Sequence, residues 1–399
     1  MIEGKENNKP GGVLRFGMVG GASGSLIGDV HRKGALFDGQ AQLVAGCFSP
    51  SFERTLRTGE QLGLDRERLY QDFQEMAEKE STREDAIEFV VIVTPNFAHY
   101  EAAKAFLLQG IHVVCEKPLT FTVVEAEELA GLAKEKGLLF CVTYTYSQCV
   151  ALKQAQLMIK NGEIGDIQVV MAEYSQGWLA TDVEDQGNKQ AGWRTDPQQA
   201  GISNCVGDIG SHIEHTVSYI TGLEIAELSA RLDHFGGDKR PLDTNALIML
   251  RYTNGAVGSY WCSQVAVGYD NGFVIRVFGT QGTLEWRQED ANYLEVIKLG
   301  QPSQRLSRGN DYLYPEAAAM SRIPAGHPEG YYETFANLYL KFTSALLKLK
   351  QGVEPSAADL DFPDAADGVR GVRFVHRCVA SSKQGSAWIA FSERGCTNE

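Results

Sequence analysis

The sequence predicts an α/β protein in which a doubly wound parallel sheet is followed by an α+β part with a large open, mostly antiparallel sheet. Three observations support this fold class. Residues 13–145 alternate short β-rich runs with longer amphipathic segments, as parallel sheets covered by helices do. A glycine-rich turn follows the first of these runs. From about residue 165, long strands follow one another with few helices between them.

The elements of the N-terminal part follow in chain order. Strands are predicted at VLRFGMV, AQLVAGCF, IEFVVIVT, IHVVC and LLFCVTY, and helices at about 50–62, FAHYEAAKAFLLQG and TVVEAEELAGLAKEKG. Thr122 and Glu125 form a capping box at the start of the last of these helices, and Gly137 ends it.

The C-terminal part is predicted from four long β segments, DIQVVMAEYS, ALIMLRYTNGAVGSYWCSQVA, GFVIRVFGTQGTLEW and NYLEVIKL. Asn254-Gly255 predicts a type I′ hairpin turn within the second segment. A helix is expected over about 206–221, an irregular segment over 300–328, and two late helices over about 330–349 and 364–383. We expect the last helix to pack back toward the N-terminal part.

Composition narrows the class of protein. With 399 residues the chain is too long for one ordinary core, and its net charge of −14 argues against nucleic acid or an anionic membrane as a partner. The polar N-terminus has no signal-type apolar stretch, and no segment reaches the roughly 20 apolar residues of a membrane span. The 8 cysteines are scattered without a C-x-x-C pair, so we expect reduced thiols in a cytoplasmic protein rather than a disulfide framework.

The glycine-rich turn FGMVGGASGSLIG lies between a strand and a helix, which is the context of a dinucleotide fingerprint. Glycines there let the backbone approach a pyrophosphate at the helix N-terminus, although a purely structural tight turn is the alternative. The pattern G-x-G-x-x-G is not met, because Ala22 and Ser25 stand at its second and third glycines. We predict that the turn binds the cofactor through the segment Gly20, Gly21, Ala22, Ser23 and Gly24. We therefore predict a dinucleotide-binding domain over residues 1–146 and an α+β substrate domain over residues 147–399.

The end of the second strand bears on the choice of cofactor. Ser49 stands where an acid would hold the ribose hydroxyls of NAD, and the absent carboxylate removes repulsion toward a 2′-phosphate. Arg54 or Arg57 would reach such a phosphate, unless both only solvate a surface helix. NADP is therefore slightly favoured over NAD, and Ser49 and Arg54 are predicted cofactor residues.

The segment CEKP, 115–118, places Lys117 at the carboxyl end of a buried strand, where ligands of doubly wound sheets bind. Pro118 disfavours a helical Lys117, so the side chain is expected to project from the strand end and to exchange a proton with a substrate hydroxyl. The alternative is a surface ion pair between Lys117 and Glu116.

A second group of polar residues lies in GISNCVGDIGSHIEH. Asp208, His212 and His215 are spaced to share one helical face. A carboxylate one turn before an imidazole orients it for general acid–base work, so catalysis is predicted for Asp208 and His212. Zinc binding and a structural histidine are the alternatives; we expect no metal, and for His215 the structural role.

These motifs, in the order Gly-rich turn, TPNFAH, EKP, GWRTDP, GDIGSH and GTQGTLE, resemble the glucose–fructose oxidoreductase / inositol dehydrogenase / rhizopine-catabolism (Gfo/Idh/MocA) family over nearly the whole chain. The resemblance implies NAD(P)-dependent oxidation or reduction of a sugar or cyclic polyol, and a homodimer or homotetramer formed through the open sheet. It also implies that Lys117 is the catalytic lysine, Asp208 a substrate-orienting aspartate and His212 the proton-transfer histidine. By the same resemblance the loop with Thr94, Pro95, Asn96 and His99, together with Glu116, lines the cofactor.

Further substrate residues are expected from two loops. In the loop 178–197, Trp193 offers an apolar wall for a sugar face and Arg194 offers hydrogen bonds, with a loop salt bridge as the alternative for Arg194. His327 stands in a Gly/Pro-rich turn before a helix and is predicted in the substrate pocket. Tyr146, like Tyr144, ends the last Rossmann strand, where it would cover the nicotinamide, contact substrate or only pack.

The function predicted from these residues is hydride transfer between a nicotinamide and a secondary alcohol or ketone carbon of a sugar or inositol. Two alternatives stay open. One is a non-catalytic NAD(P)-binding sensor, and the other is an enzyme that holds and recycles its cofactor.

Overall fold

The N-terminal strands form a five-stranded parallel sheet in the computed structural model, which describes residues 12–183, 189–236 and 240–392. Its order is β2-β1-β3-β4-β5. The strands are β1 (Leu14–Gly20), β2 (Ala41–Cys47), β3 (Phe89–Val93), β4 (His112–Cys115) and β5 (Phe140–Val142). The central strand β3 is buried at every residue, as expected for a strand with helices on both faces.

Helices cover both faces of this sheet and connect its strands. They are α1 (Leu26–Leu36), α2 (Phe52–Gln61), α3 (Phe73–Ser81), α4 (His99–Leu108) and α5 (Val123–Glu135). The capping box of Thr122 and Glu125 at α5 is present as predicted. Phe16 and Phe89 on one face pack against the late helix that begins at Tyr331, while the other face packs against α3, α4 and α5. The predicted doubly wound sheet is confirmed.

Within the described residues, the second sheet has nine strands in the order β13-β12-β11-β10-β6-β9-β8-β7-β14. They are β6 (Ile167–Ser175), β7 (Ile225–Asp233), β8 (Asn245–Tyr252), β9 (Val257–Ser263), β10 (Gly272–Gly279), β11 (Gly282–Arg287), β12 (Tyr293–Lys298), β13 (Gln304–Ser307) and β14 (Ile389–Ala390). All pairs are antiparallel except β6 with β9, which confirms the mostly antiparallel prediction.

The remaining helices are α6 (Val150–Lys160), α7 (Lys189–Arg194), α8 (Pro197–Ala200), α9 (Ser211–Thr221), α10 (Pro315–Ala318), α11 (Tyr331–Lys350) and α12 (Ala365–Lys383). Apolar residues of α6, α9 and α12 cover one face of the second sheet. Helix α12 also contacts the first sheet, because Gly368 packs closely on Leu119 and Val142. The last helix therefore packs back toward the N-terminal part, as expected, and α11 does so as well.

Several elements within the described ranges were missed from the sequence, among them helices α3, α6, α7 and α8 and strands β7 and β14. Strand β7, IAELSARLD, is rich in residues that also favour helices. Its assignment comes from pairing with β8 over nearly its whole length. The segment 300–328, expected to be irregular, contains β13 and α10.

The predicted type I′ turn is wrong. Gly255 has a φ of +91°, but Asn254 is not among the residues with positive φ, and a type I′ turn requires both. The Gly255 N–H donates to the Tyr252 carbonyl at 3.0 Å, and the Tyr252 N–H donates to the Ala256 carbonyl. The hairpin therefore has a three-residue loop that ends in a left-handed glycine.

Among the described residues, no helix has both the length and the apolar character needed to cross a bilayer.

Candidate active site

A cavity of about 820 Å³ lies between the carboxyl ends of the N-terminal strands and the second sheet. Both parts of the chain contribute to its walls, which include Ser25, Leu26, Ile27, Thr94, Pro95, Asn96, Glu116, Lys117, Tyr146, Trp193, Arg194, Asp208, His212, Asn271, Gln288 and Tyr331. Its position at the strand ends is where doubly wound sheets bind ligands. Most of the predicted site residues therefore meet in one place.

The glycine-rich turn brings the start of α1 to this cavity. Gly20 has a φ of +81°, and a Cβ there would lie 2.8 Å from the Val93 carbonyl oxygen, so no larger residue fits. Ser25 caps the helix by accepting a hydrogen bond from the Gly28 N–H at 3.2 Å. The N-terminus of α1 thus faces the cavity, and such a terminus favours a pyrophosphate. Above Gly24 there is open space, which leaves room for that group.

The two candidate arginines of α2, Arg54 and Arg57, point in different directions. Arg54 is exposed and donates from Nη2 to the Ser23 carbonyl at 3.2 Å, so its guanidinium lies against the glycine-rich turn. Arg57 instead pairs with Glu53 on the outer side of α2. Ser49 is half-buried, does not line the cavity, and accepts a hydrogen bond from the Ser51 N–H.

The loop after β3 contributes Thr94, Pro95 and Asn96 to the cavity, but the prediction that His99 lines it is wrong. His99 is fully buried behind the loop, with its ring nitrogens 2.9 Å from the Pro118 carbonyl and 3.0 Å from the Thr94 carbonyl. Burial lowers the pKa of the His99 imidazole. The ring therefore ties together the loops that follow β3 and β4.

Glu116 does not pair with Lys117, so the surface ion pair considered for the EKP segment is absent. Its carboxylate is held by His31 at 2.8 Å and by the Thr143 hydroxyl at 2.5 Å. Burial opposes ionisation of Glu116, but the hydrogen bond from His31 and the nearby charge of Lys117 outweigh it and lower the pKa to about 2.

Lys117 forms an ion pair at the cavity wall with Asp208, a residue 91 positions away in the chain. The Nζ atom lies 2.9 Å from Oδ1 and 2.9 Å from the backbone carbonyl of Asp208. Both side chains are nearly buried, at 12% and 11% exposure. A lysine held in this way has a fixed position at the cavity wall.

Asp208 also binds two further donors. Arg194 pairs with Oδ1, and Gln264 donates from Nε2 to Oδ2 at 2.9 Å. Burial would raise the pKa of Asp208, but Arg194 and Lys117 outweigh burial and hold it well below its usual range. The guanidinium of Arg194 also stacks 4.7 Å from the Trp193 ring. Arg194 thus reaches the site through its ion pair with Asp208.

The prediction that Asp208 orients His212 is wrong. The Asp208 carboxylate is engaged by Lys117, Arg194 and Gln264, and Nδ1 of His212 is buried without a hydrogen-bond partner. The cause is a π-helical turn over 206–210, in which residues four apart no longer stack as they do in an α-helix.

Aromatic rings position His212 instead. Its ring makes edge contacts with Tyr146 at 5.1 Å and Tyr144 at 5.7 Å. Burial, followed by the charge of Lys117, lowers the pKa of His212 well below 6.5. The imidazole is therefore neutral at pH 7 and able to accept a proton.

Two other predicted residues lie away from the cavity wall. His215 is buried, stacks on Tyr144 at 4.6 Å and lies 3.9 Å from Asp367, in keeping with the structural role expected for it. The prediction that His327 lies in the substrate pocket is wrong. His327 is exposed in its turn and does not line the cavity. Of the loop 178–197, residues 184–188 lie outside the described residues.

Several polar residues at the site were not identified from the sequence. Asp243 accepts hydrogen bonds from the Asn204 and Val206 N–H groups, both at 2.9 Å, and so fixes the start of the turn that carries Asp208. Gln264 follows β9 directly and accepts from Asn204 at 2.6 Å. The position of Gln264 near the end of a predicted β segment is the sequence feature that could have indicated it as a site residue.

No group of three or more His, Cys, Asp or Glu side chains within the described ranges is arranged to hold a metal ion.

Comparison with known proteins gives two family matches. Residues 14–144 match the model of an oxidoreductase family with an NAD-binding Rossmann fold, and residues 152–285 match the GFO/IDH/MocA C-terminal domain. An uncharacterized oxidoreductase, YfiI of Bacillus subtilis, is 41% identical over 95% of this chain and 97% of its own length.

Solved structures match over the same extent. An inositol dehydrogenase homolog from Azotobacter vinelandii, complexed with NAD+, superposes with a TM-score of 0.91 at 40% identity, covering 95% of this chain and 97% of that one. The structure of an inositol dehydrogenase homolog from the same organism, complexed with NADH and myo-inositol, superposes with a TM-score of 0.89 at 38% identity. The match covers 95% of this chain and 98% of that one. A levoglucosan dehydrogenase complexed with NADH and levoglucosan superposes with a TM-score of 0.79 at 25% identity, covering 94% of this chain and 98% of that one.

Proposed function

Because the chain belongs to the GFO/IDH/MocA oxidoreductase family, we propose that it transfers a hydride between a nicotinamide dinucleotide and a secondary carbinol carbon of a sugar or cyclic polyol. One observation carries this proposal. Lys117, which follows β4, meets Asp208 of the π-helical turn and His212 of α9 in one cavity, next to the N-terminus of α1. Relatives of this fold have been solved with myo-inositol and with levoglucosan, which supports the substrate class.

Each residue has a separate task in the proposed reaction. A nicotinamide held in the cavity beside Thr94, Pro95 and Lys117 would supply the hydride-accepting group. The neutral His212 accepts the hydroxyl proton; its Nδ1 is buried, so Nε2 is the nitrogen left for the substrate. Lys117 stabilises the developing alkoxide by donating a hydrogen bond, and Asp208 is the positioning residue that holds Lys117 in place.

The substrate and cofactor sides of the cavity are divided between the two parts of the chain. We propose that residues 1–146 bind the dinucleotide and that residues 147–399 supply the substrate wall, including Trp193 and Arg194. The stacked pair offers a flat face for a ring and guanidinium donors for hydroxyls.

A panel of sugars and inositols, each with NAD and with NADP, tests this function. We expect the absorbance of the reduced cofactor to rise with at least one polyol. Binding of cofactor without turnover on any polyol would indicate the non-catalytic sensor, and the spectrum of a cofactor that purifies with the protein would indicate the recycling enzyme.

We further propose that NADP is slightly favoured over NAD. Support comes from Ser49 in place of an acid and from Arg54, which lies against the Ser23 carbonyl at the glycine-rich turn. Arg54→Ala is expected to raise the KM for NADP by about 10-fold, because a charge-assisted hydrogen bond to the 2′-phosphate is lost. The KM for NAD should change less than about twofold. Initial rates with each cofactor measure both effects.

The control for this prediction is Arg57→Ala, which removes an arginine from the same helix but one paired with Glu53. If Arg54→Ala raises both KM values equally, the arginine serves the shared pyrophosphate and the proposed preference is wrong.

We propose that the open face of the second sheet joins two or more copies of the chain. Apolar side chains stand exposed along neighbouring strands of that face, among them Met171, Leu247, Met249 and Val257. Met171, Ser259 and Met249 lie side by side in the pairing register, so these residues form a continuous surface.

Met249→Lys is expected to reduce the oligomer to a smaller species, because an ammonium at the centre of such an interface is left unpaired. Light scattering after gel filtration measures the mass. The control is Leu108→Lys, the same kind of change at an exposed apolar residue of α4. An unchanged mass in Met249→Lys would contradict this interface.

The cysteines support the proposal of a reducing, cytoplasmic setting. All seven that lie in the described ranges are free, and six of them are buried.

A further inference from the structure

A second cavity of about 340 Å³ adjoins the candidate active site. Tyr146, Gln288 and Tyr331 line both cavities and so form the boundary between them. Each volume lies within the range of about 300–1,000 Å³ found for small-molecule sites. The second cavity is therefore large enough to hold a small molecule of its own.

The second cavity begins one aromatic ring beyond the proton-transfer residue. The His212 ring is 5.1 Å from Tyr146, and Tyr146 is 6.2 Å from Trp286, which lines the second cavity only. A substrate ring placed against His212 therefore has a neighbouring space directly beside it.

The walls of this space have the chemistry of a sugar subsite. Tyr331 contributes an exposed aromatic ring, the buried rings of Tyr146 and Trp286 close the inner end, and Gln288 and Thr334 contribute hydrogen-bonding groups. Flat apolar rings combined with a few amides and hydroxyls suit a polyhydroxylated ring with two different faces.

The charges of the second cavity select against an anion. The arginine among its described lining residues, Arg308, is 4% exposed and already pairs with Glu329 at 3.0 Å while donating from Nε to Asn292 at 2.8 Å. Glu289 and Glu333 add two more carboxylates to the wall. A phosphate or carboxylate group would meet acids without a free cation, whereas a neutral ring would not.

Resting on the proposed function, we propose that the enzyme acts on neutral two-ring substrates, disaccharides or glycosides. The ring that is oxidised lies against Lys117 and His212, and the second ring occupies the cavity lined by Trp286, Tyr331 and Thr334. The acetal bond between the rings is unchanged, since only the carbinol C–H and O–H bonds break.

The test compares matched substrates on the intact protein. Single-ring probes are D-glucose, D-galactose and myo-inositol; two-ring probes are maltose, cellobiose, lactose and p-nitrophenyl glucosides. We expect kcat/KM for at least one two-ring probe to exceed that of its matched single sugar by about 10-fold or more, as an additional occupied subsite provides.

Thr334→Tyr fills the second cavity without touching the proposed catalytic group, because Thr334 lines only that cavity. We expect kcat/KM for the two-ring probe to fall by about 10-fold, with the single-ring value within about twofold of the parent. Thr334→Ser, which keeps the hydroxyl that bonds the Gly330 carbonyl, is the matched control. Glu333→Gln is a second variant, expected to admit glucosides that carry a carboxylate.

Single-ring turnover with no two-ring preference would overturn the subsite and leave the proposed function standing. So would a two-ring preference that Thr334→Tyr, folded with an unchanged Tm, leaves intact. Absence of turnover with every probe, despite cofactor binding, would instead contradict the function on which the subsite rests.

Discussion

Lys117→Met is expected to lower kcat by about 10³-fold while leaving dinucleotide binding intact. The methionine side chain is close in length but cannot donate a hydrogen bond to the developing alkoxide, and groups of this kind contribute about 10²–10⁴-fold. The loss corresponds to about 4 kcal/mol of transition-state stabilisation. Steady-state kinetics with the best polyol gives kcat, and fluorescence titration gives the cofactor Kd.

The fold should tolerate this change. Asp208 keeps its ion pair with Arg194 and its hydrogen bond from Gln264, so its buried carboxylate is not left unpaired. Lys79→Met, the same replacement at an exposed lysine of α3, is the matched control and should retain full activity. A Lys117→Met enzyme with more than about a tenth of the parent kcat would contradict the assigned role.

His212→Ala is the second variant with a large expected effect, a fall in kcat of about 10²–10⁴-fold. The imidazole is the neutral base that the cavity offers, and water admitted by the smaller side chain is a poorer acceptor. Addition of free imidazole should restore part of the rate, because the truncation leaves a gap between Tyr144 and Tyr146. His215→Ala, which removes a histidine that does not line the cavity, is the control and should keep kcat within about 10-fold.

The pH profile follows from the lowered pKa of His212. Oxidation requires the neutral imidazole, and burial keeps His212 neutral at every pH above its depressed pKa. We therefore expect kcat/KM for oxidation to show no loss from His212 between about pH 8 and 6.5, and to decline only as the pH falls further. An inflection at the ordinary histidine value of about 6.5 would mean that burial does not protect the group.

Much of the fold was predictable because its signals are local. Examples are the alternation of strands and helices, the capping box of Thr122 and Glu125, and the two late helices α11 and α12. Each depends on residues that are close together in the sequence. Strand β7 was missed because its identity depends on pairing with β8. The hairpin at Asn254 was assigned the wrong turn because the dipeptide motif does not fix the loop length.

The site was predictable at its strand ends and less so elsewhere. Lys117 follows from its place after β4, but its partner Asp208 is 91 residues away, and no local pattern indicates that pairing. His212 was found from spacing, but the spacing argument assumed an α-helix and the π turn at 206–210 redirects Asp208. The prediction for His99 was wrong for a related reason. The sequence does not show which residues of a loop face the cavity and which pack behind it.

The most direct test is a crystal structure of the protein with NADH or NADPH and a polyol that turns over in the panel. We predict that one substrate hydroxyl oxygen lies within about 2.6–3.2 Å of both the Lys117 Nζ and the His212 Nε2, with its carbon facing C4 of the nicotinamide. A complex in which the two side chains contact different hydroxyls, or in which the nicotinamide lies away from the 820 Å³ cavity, would contradict it.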